Sequence, residues 1–348
     1  VGNLSAPQLF LLSRRERDEP WAERAMEWFT GFAPLRTREV NFAPVPLLQP
    51  SAQLNATNGP SSWQKLLFSN DQSLLLAATP HTVNRWQLAN EQAMDTVAMV
   101  NAPITDMALD RADHNLAYTD QQGKVYLRNL ATNSEQLIAE HGAGAAFVRF
   151  SFGDNAVISV GEDGMIALYE IATGQSMLYC TTPPLAITAL ATDPTGPNLA
   201  YASADNNIIH IWNSSNNTPI ADLPGHSDQI TLLNYRWDGQ AIISASRDRT
   251  VRIWPIEHGA ASIVQMNLQE QPLYASFLAN SPLFVIGTAS ALRLWRLDQA
   301  TSLTRKSPSI AGISAVSASN DGTLIATAAQ DGAIVLWQVD PEGVLTPR

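Results

Sequence analysis

The sequence has few of the features that would tie it to a disulfide framework, a nucleic acid or a membrane. Its single cysteine, Cys180, excludes an internal disulfide, and only three of its 21 Lys and Arg residues are lysines. Asp and Glu number 32, and the net charge of −11 opposes binding to phosphate backbones, which requires clustered basic residues. The longest N-terminal apolar run, residues 9–12, is far shorter than the roughly 18 residues of a membrane span. We therefore expect neither nucleic-acid binding nor a membrane span.

The length and the first residue set two further expectations. A chain of 348 residues can bury enough surface to fold without metal or disulfides. It begins with Val1 rather than Met. The expected location leans to the cytoplasm, with a processed, exported protein as the alternative, because removal of an export signal would also leave such an end.

Patterns that would carry chemistry are sparse. The histidines are scattered singly, without the spacing of a zinc site, and no second cysteine is present to help bind a metal. The sequence has no Gly-x-Ser-x-Gly nucleophile elbow, and Ser, His and Asp are too common in turns to indicate a triad. We therefore predict no catalytic residue, no metal and no cofactor. The six histidines are His81, His114, His141, His210, His226 and His258.

The strongest signal is an internal repeat. Seven short strand-like segments each carry one large side chain at a corresponding place, and these residues follow one another at spacings of 42, 41, 43, 42, 41 and 42. Such regular spacing indicates one structural unit repeated seven times. The seven residues are Trp86, Arg128, Tyr169, Trp212, Trp254, Trp295 and Trp337.

Each repeat has the same internal order of apolar strands and polar turns. The strands are about six residues long and rich in Val, Ile, Leu and Thr, and the turns hold Asn, Asp and Gly, as in Asp238-Gly239. A unit of about 42 residues with four short strands cannot bury both faces alone, so such units pack side by side around an axis. The pattern predicts an all-β, seven-bladed propeller in which the aromatic residues wedge between neighbouring sheets.

The fifth repeat resembles the WD-40 repeat family of seven-bladed β-propellers. It contains Gly225-His226, then Ser244 (or Ser246), Asp248 and Trp254, in the order that the family uses. The resemblance covers about residues 60–340 and implies that His226, Ser244, Asp248 and Trp254 form a hydrogen-bonded tetrad that stiffens the blade. In the other repeats this motif is incomplete.

Two candidate segments could complete the last blade. We assign residues 36–348 to the propeller, with the first blade starting near residue 60. The family closes its ring with an N-terminal strand, for which 38–42 within the segment 38–48 is suitable, because Pro44 and Pro46 fit an outer edge. The alternative is a C-terminal strand at 343–346.

Residues 1–35 form an extension outside the repeats. Their apolar residues recur on one helical face, and an acidic, proline-containing start and Gly31 bound a predicted amphipathic helix over about 19–31. This face packs on the propeller's own rim, docks onto a partner subunit, or lies on a membrane surface. Its candidate contact residues are Trp21, Trp28, Phe29 and Phe32.

The resemblance also implies a function and a contact surface. The family most often grips proteins or peptides at the channel face, through the turn before each third strand and the start of each first strand. Arg247 is the sharpest candidate, because Arg is enriched at binding hot spots. We therefore expect a non-catalytic scaffold in a larger assembly, binding one or more proteins or peptides; the alternative is a ligand-binding or hydrolytic propeller that uses polar channel residues. The carried-over positions are Gln121, Glu162, Arg247 and Gln330 beside turns, and Trp63, Asp106 and Gln229 near first-strand starts.

Overall fold

In the residues that the structure describes, the regular structure is entirely β. The computed structural model describes residues 53–54, 63–89, 92–180, 186–216, 218–256, 264–297, 302–303, 312–339 and 345–347. Within these ranges every regular element is a strand, and the strands form seven sheets. The prediction of an all-β, seven-bladed chain is confirmed. The predicted helix at 19–31 lies outside the described residues.

Each sheet is one blade, and its strands are called A to D from the ring centre outward. The first described strand, β1 (Gln53–Leu54), belongs to the last blade. Blade 1 contains β2 (Lys65–Phe68), β3 (Leu74–Ala78), β4 (Thr82–Gln87) and β5 (Gln92–Met99). Blade 2 contains β6 (Ile104–Leu109), β7 (Asn115–Asp120), β8 (Lys124–Asn129) and β9 (Glu135–Glu140). Blade 3 contains β10 (Ala145–Phe150), β11 (Ala156–Gly161), β12 (Met165–Glu170) and β13 (Gln175–Cys180).

The remaining blades repeat the same order. Blade 4 contains β14 (Ile187–Thr192), β15 (Asn198–Ser203), β16 (Ile209–Asn213) and β17 (Thr218–Leu223). Blade 5 contains β18 (Ile230–Tyr235), β19 (Ala241–Ser246), β20 (Thr250–Pro255) and β21 (Val264–Asn267). Blade 6 contains β22 (Pro272–Phe277), β23 (Leu283–Thr288), β24 (Leu292–Arg296) and β25 (Ser302–Leu303). Blade 7 contains β26 (Ile313–Ala318), β27 (Leu324–Ala329), β28 (Ile334–Val339) and β29 (Leu345–Pro347), together with β1.

The A strands form a closed inner ring. Contacts run from β2 to β6, β10, β14, β18, β22 and β26, and then from β26 back to β2. At the junction of blades 7 and 1, the indole N–H of Trp63 donates to the Gly332 carbonyl oxygen at 2.8 Å. The same junction buries Trp86 and Leu336 in one apolar cluster. The circle is therefore closed by packing as well as by strand pairing.

The outer edge of blade 7 is shared by two segments from opposite ends of the chain. Gln53 and Leu54 pair with Val335 and Ile334, and β29 pairs with the other half of β28, from Trp337 to Val339. Segments from before and after the repeats thus both pair with blade 7 and help to close the ring. The predicted strand at 38–42 lies outside the described residues and stays a prediction, whereas the alternative at 343–346 overlaps β29.

The B strands read as continuous apolar runs because both of their faces are covered. All six residues are buried in β11, β19, β23 and β27. Alternation of polar and apolar residues would be expected only if one sheet face met water.

Tight turns bring neighbouring blades close: at Gly239, where φ is +71°, an added Cβ would lie 2.3 Å from Thr195 Oγ1 in blade 4. Glycine is therefore required there by both conformation and space.

Candidate functional site

The ring has two faces with different turns. Because the four strands of a blade alternate in direction, the turns between B and C strands lie at one end of the blade and those between A and B strands at the other. We call these the B–C face and the A–B face. The B–C face also carries the connection from each D strand to the next A strand, and this is the face that the sequence predicts to bind partners.

A directed hydrogen-bond chain braces the B–C face of blade 5. The indole N–H of Trp254 donates to Ser244 Oγ at 2.8 Å, and Ser244 Oγ lies 2.7 Å from His226 Nε2. His226 Nδ1 lies 2.9 Å from Asp248 Oδ2. An ionised carboxylate only accepts, so the imidazole carries its proton on Nδ1 and accepts the Ser244 proton at Nε2. The four residues singled out by the sequence are thus brought together, with Ser244 rather than Ser246 beside His226.

The protonation states of this chain follow from burial and its partners. Burial is the main influence on His226 and lowers the pKa of its imidazole below the ordinary 6.5, although Asp248 acts in the opposite direction. For Asp248, burial alone would raise the pKa of the carboxyl group. Hydrogen bonds from Thr250, His226 and the Ser227 N–H together outweigh it and hold the pKa at about 2. A neutral imidazole beside a carboxylate is what the hydrogen-bond directions require.

Blade 3 contains a looser version of the same brace, which the resemblance of the fifth repeat did not predict. His141 Nε2 lies 2.9 Å from Ser159 Oγ, and His141 Nδ1 lies 3.7 Å from Asp163 Oδ1. Tyr169 stands in the tryptophan's place, and its hydroxyl accepts from Gln136 instead. A sequence signal exists, because Ser159 follows His141 by 18 residues, as Ser244 follows His226.

The fourth residue of the B strand determines whether the C-strand indole N–H is paired. Ser244 accepts from Trp254, and Thr327 accepts from Trp337 at 2.9 Å. The indole N–H groups of three other C-strand tryptophans are buried and have no hydrogen-bond partner among the described residues; these are Trp86, Trp212 and Trp295. The corresponding B-strand residues lack a short hydroxyl side chain; they are Ala77, Tyr201 and Ile286.

Five of the seven predicted contact residues lie at the B–C face with accessible side chains. Gln121, Glu162, Arg247 and Gln330 are exposed in the B–C turns of four different blades, and Gln229 is half-buried before the A strand of blade 5. Among the described residues, Arg247 has no ion-pair partner within 4.0 Å. These side chains therefore form a polar, chemically varied set around the ring.

The structure corrects the other two predicted contacts. Trp63 and Asp106 are only 1% and 3% exposed, so neither side chain is available to a partner. Asp106 instead joins three blades: its carboxylate lies 3.3 Å from Lys65 Nζ in blade 1 and 2.5 Å from Arg149 Nη1 in blade 3. Burial would raise the pKa of Asp106, but Arg149 and Lys65 outweigh it and hold the pKa below 3.8.

The inner strands that the structure describes carry mostly apolar residues at the position of Asp106. Asp106 is paired by two cations, and its neighbours at corresponding A-strand positions are mostly apolar, such as Phe147, Leu232 and Ala315. In the part of the chain that the structure describes, no group of three or more His, Cys, Asp or Glu residues could hold a metal ion. Trp21, Trp28, Phe29 and Phe32 lie outside the described residues.

Comparison with known proteins agrees with this architecture. The WD40 family model (WD domain, G-beta repeat) matches residues 217–255, from the D strand of blade 4 through the C strand of blade 5, and residues 303–338, from the D strand of blade 6 into the C strand of blade 7. The Periodic tryptophan protein 2 homolog of Neurospora crassa is 30% identical over 117 residues, covering 33% of this chain and 13% of that protein. The WD repeat-containing protein 89 homolog of Dictyostelium discoideum is 32% identical over 102 residues, covering 29% and 28%.

A third relative, Transcription factor unc-37 of Caenorhabditis elegans, is 32% identical over 102 residues, covering 29% of this chain and 16% of that protein. The matches thus span less than a third of each of these relatives. The fold and the matched repeats define the class, a seven-bladed β-propeller. The chain thus contains repeats that match the WD40 family model, and it is similar to WD repeat proteins. Among the described residues, no helix is long and apolar enough to cross a membrane.

Proposed function

We propose that this chain is a non-catalytic scaffold subunit that binds one or more proteins or peptides through its B–C face. The observation that carries the proposal is the arrangement of Gln121, Glu162, Arg247 and Gln330, which are exposed on turns of four blades while the strands beneath them are buried. A rigid ring with varied polar turns can bind a partner's surface without changing its own conformation, which limits the entropic cost of binding.

The brace of blade 5 supports the choice of Arg247 as an anchor. Asp248, the next residue, accepts hydrogen bonds from the Ser227 and Thr250 backbone N–H groups at 3.0 and 2.8 Å. The Arg247 N–H donates to the Gln229 carbonyl oxygen at 2.9 Å. The backbone of the turn is thus fixed while the guanidinium group extends into solvent, so binding orders only the side chain.

The names of the relatives refer to different cellular processes, and this diversity supports a scaffold role. A transcription factor, an autophagy-related protein and a periodic tryptophan protein all share similarity with this propeller. One fold serving such different processes is typical of an interaction module, whose specificity lies in its surface residues. The predicted helix at 19–31, with Trp21, Trp28, Phe29 and Phe32, would supply a second contact with a partner subunit.

The experiment introduces the same acidic side chain on the two faces. Arg247→Glu changes the B–C face, and Ala89→Glu changes an exposed residue in the turn between the C and D strands of blade 1, which lies at the A–B face. Tagged chains are recovered from native extract, and co-purifying proteins are quantified by mass spectrometry. We expect Arg247→Glu to reduce recovery of at least one partner by about ten-fold, as loss of a binding hot spot does, while Ala89→Glu leaves that partner unchanged. Equal recovery with both variants, or equal loss, would contradict the proposal.

A further inference from the structure

The A–B face exposes large apolar side chains where the other blades have small or polar ones. Phe152 and Trp237 are 44% and 47% exposed, and each is the second residue of an A–B turn, in blades 3 and 5. Between them, blade 4 has Pro194, which is half-buried. Three successive turns therefore present one apolar strip beside the ring centre. Grouped apolar exposure of this kind marks an interaction surface more often than single exposed residues do.

An arginine from the neighbouring blade fixes this strip in place. Arg111 Nη2 donates to the Pro194 carbonyl oxygen at 2.5 Å, and its guanidinium carbon lies 5.1 Å from the centre of the Phe152 ring. Its backbone N–H donates to Asp154 Oδ2 at 2.9 Å. The side chain thus spans blades 2 to 4. We call Arg111, Phe152, Pro194 and Trp237 the A–B arc; aromatic residues and arginine are the types most enriched at binding hot spots.

The charge around the arc determines which ligands fit. The described A–B turns contain seven aspartates, of which Asp110 and Asp193 are buried and five are partly exposed, and two arginines. One of these, Arg236, forms a two-pronged pair with Asp238, with both N–O distances 2.6 Å. The face is therefore acidic, which disfavours stacking against the same face of a second copy and favours a cationic ligand with bulky apolar side chains. The seven aspartates are Asp71, Asp110, Asp113, Asp154, Asp193, Asp238 and Asp321.

The chain itself contains a segment with this chemistry. Residues 9–12 are Leu-Phe-Leu-Leu, and they are followed within five residues by Arg14, Arg15 and Arg17. We propose that residues 9–17 dock on the A–B arc of their own propeller, with the apolar side chains over Phe152 and Trp237 and the arginines over the surrounding aspartates. This is a contact on the opposite face from the proposed partner surface, so either proposal can fail without the other.

The connecting chain is long enough for this contact. Thirty-five residues separate Arg17 from Gln53, the start of β1 on the outer edge of blade 7. Fully extended they span about 115 Å. With the predicted helix at 19–31, 13 of these residues span about 20 Å and the other 22 at most about 73 Å. Blades 3 and 4 lie opposite blade 7 in the ring, so the path to the arc crosses two blade widths of about 15 Å each and the channel between them. The connection is longer than this path, which makes the contact an intramolecular one.

The test is site-specific photo-cross-linking of the full chain. A photoreactive p-benzoylphenylalanine replaces Phe152, which keeps an aromatic ring at that place, and the control carries it at Glu162 on the B–C face. A mixture of isotopically heavy and light chains separates contacts within a chain from contacts between chains. We expect a cross-link from position 152 to residues 9–17 of the same chain, and none from position 162. A link to a second copy, to another protein or to a different segment would overturn the proposal, as would no link.

A second variant tests the chemistry of the contact. Arg14→Glu, Arg15→Glu and Arg17→Glu together should abolish the cross-link from position 152, and so should roughly 1 M salt, at which charges are screened beyond about 3 Å. Because these positions precede the seven repeats in the sequence, we expect the substitutions to leave the propeller itself unchanged. On the chain without cross-linker, the triple variant should show faster amide hydrogen exchange in the turns at 151–154 and 236–239. Unchanged cross-linking and exchange in the variant would overturn the proposal.

Discussion

Blades 5 and 7 have nearly the same strand packing but very different polar interiors. In both, a buried tryptophan of the C strand pairs across from an isoleucine of the B strand, Ile242 with Trp254 and Ile325 with Trp337. Blade 5 adds the chain from Trp254 through Ser244 and His226 to Asp248, whereas blade 7 has the Trp337–Thr327 bond. The position 18 residues before Thr327 is Ser309, so blade 7 has no histidine at this spacing.

The difference separates what builds a blade from what fixes its turns. Apolar strands covered on both sides are sufficient for the blade geometry, since blade 7 reaches the same register without the full polar chain. The additional groups of blade 5 act at the B–C turn, where Asp248 accepts from two backbone N–H groups. Degenerate repeats therefore keep the ring, and the complete repeat has a more firmly held B–C turn.

The largest expected effect comes from removing the central hydroxyl of each blade. Ser244→Ala leaves both the Trp254 N–H and His226 Nε2 without a partner. Thr327→Val keeps the shape of the side chain and leaves only the Trp337 N–H without its partner. We expect losses of about 3 kcal/mol and about 1 kcal/mol respectively, because unsatisfied buried polar groups cost about 1 to 3 kcal/mol each. Urea unfolding of the two variants measures both values. Equal losses would show that the polar chain of blade 5 adds nothing to its stability.

A smaller effect should appear as the pH falls. The pKa of His226 is lowered by burial, and the same is true of His141 in blade 3. Below pH 6.5 the unfolded chain takes up protons that the folded chain does not, so the stability present above pH 6.5 declines as the pH falls. Each histidine contributes a decline of at most about 1.4 kcal/mol per pH unit. Melting temperatures between pH 7 and pH 5 should fall less steeply for His226→Gln than for the original chain.

The control for this pH effect is His81→Gln, because His81 is exposed in the B–C turn of blade 1. It should leave the slope of melting temperature against pH unchanged. A steeper slope in His226→Gln would contradict the assignment of a neutral imidazole. A second decline is expected between pH 3.8 and about pH 2, where Asp248 becomes protonated in the folded chain.

The fold could be predicted from the sequence because the spacing of the repeats equals the length of one blade, and the blades are the units that pack around the ring. The brace of blade 3 was also readable, since His141, Ser159 and Asp163 repeat the spacing of His226, Ser244 and Asp248. The direction in which a given side chain points was harder to predict from the sequence. Asp106 lies where the register of β6 against β7 shifts by one residue, and such a shift moves a side chain to the other face of the sheet. Its predicted exposure was therefore wrong.

The exposed aromatics of the A–B arc could not be found from periodicity at all. Phe152 and Trp237 stand in turns, where the strand pattern gives no information on burial. Their signal is compositional: a large apolar residue occupies a position that holds asparagine in blades 1 and 7, at Asn70 and Asn320. The two residues form one surface because the fold places both A–B turns on the same face of the ring.

The smallest expected effect is a gain of stability in blade 1. Ala77 corresponds to Ser244 and is fully buried, and the indole N–H of Trp86 has no partner among the described residues. Leu75 pairs with Trp86 as Ile242 pairs with Trp254, so a hydroxyl at position 77 would have the register needed to accept from the indole. We expect Ala77→Ser to stabilise the chain by about 0.5 kcal/mol, the lower end of a net hydrogen-bond contribution.

Comparison with Trp86→Phe isolates that hydrogen bond, because phenylalanine fills part of the same space without an N–H group. In the Trp86→Phe chain, Ala77→Ser should bring no gain and should cost stability, since the new hydroxyl would then be buried without the indole donor. Urea unfolding of the four chains yields the coupling between positions 77 and 86. A coupling near zero would mean that the unpaired indole is not the feature that distinguishes blade 1 from blade 5. A favourable coupling would instead show that a single hydroxyl moves a degenerate blade toward the complete one.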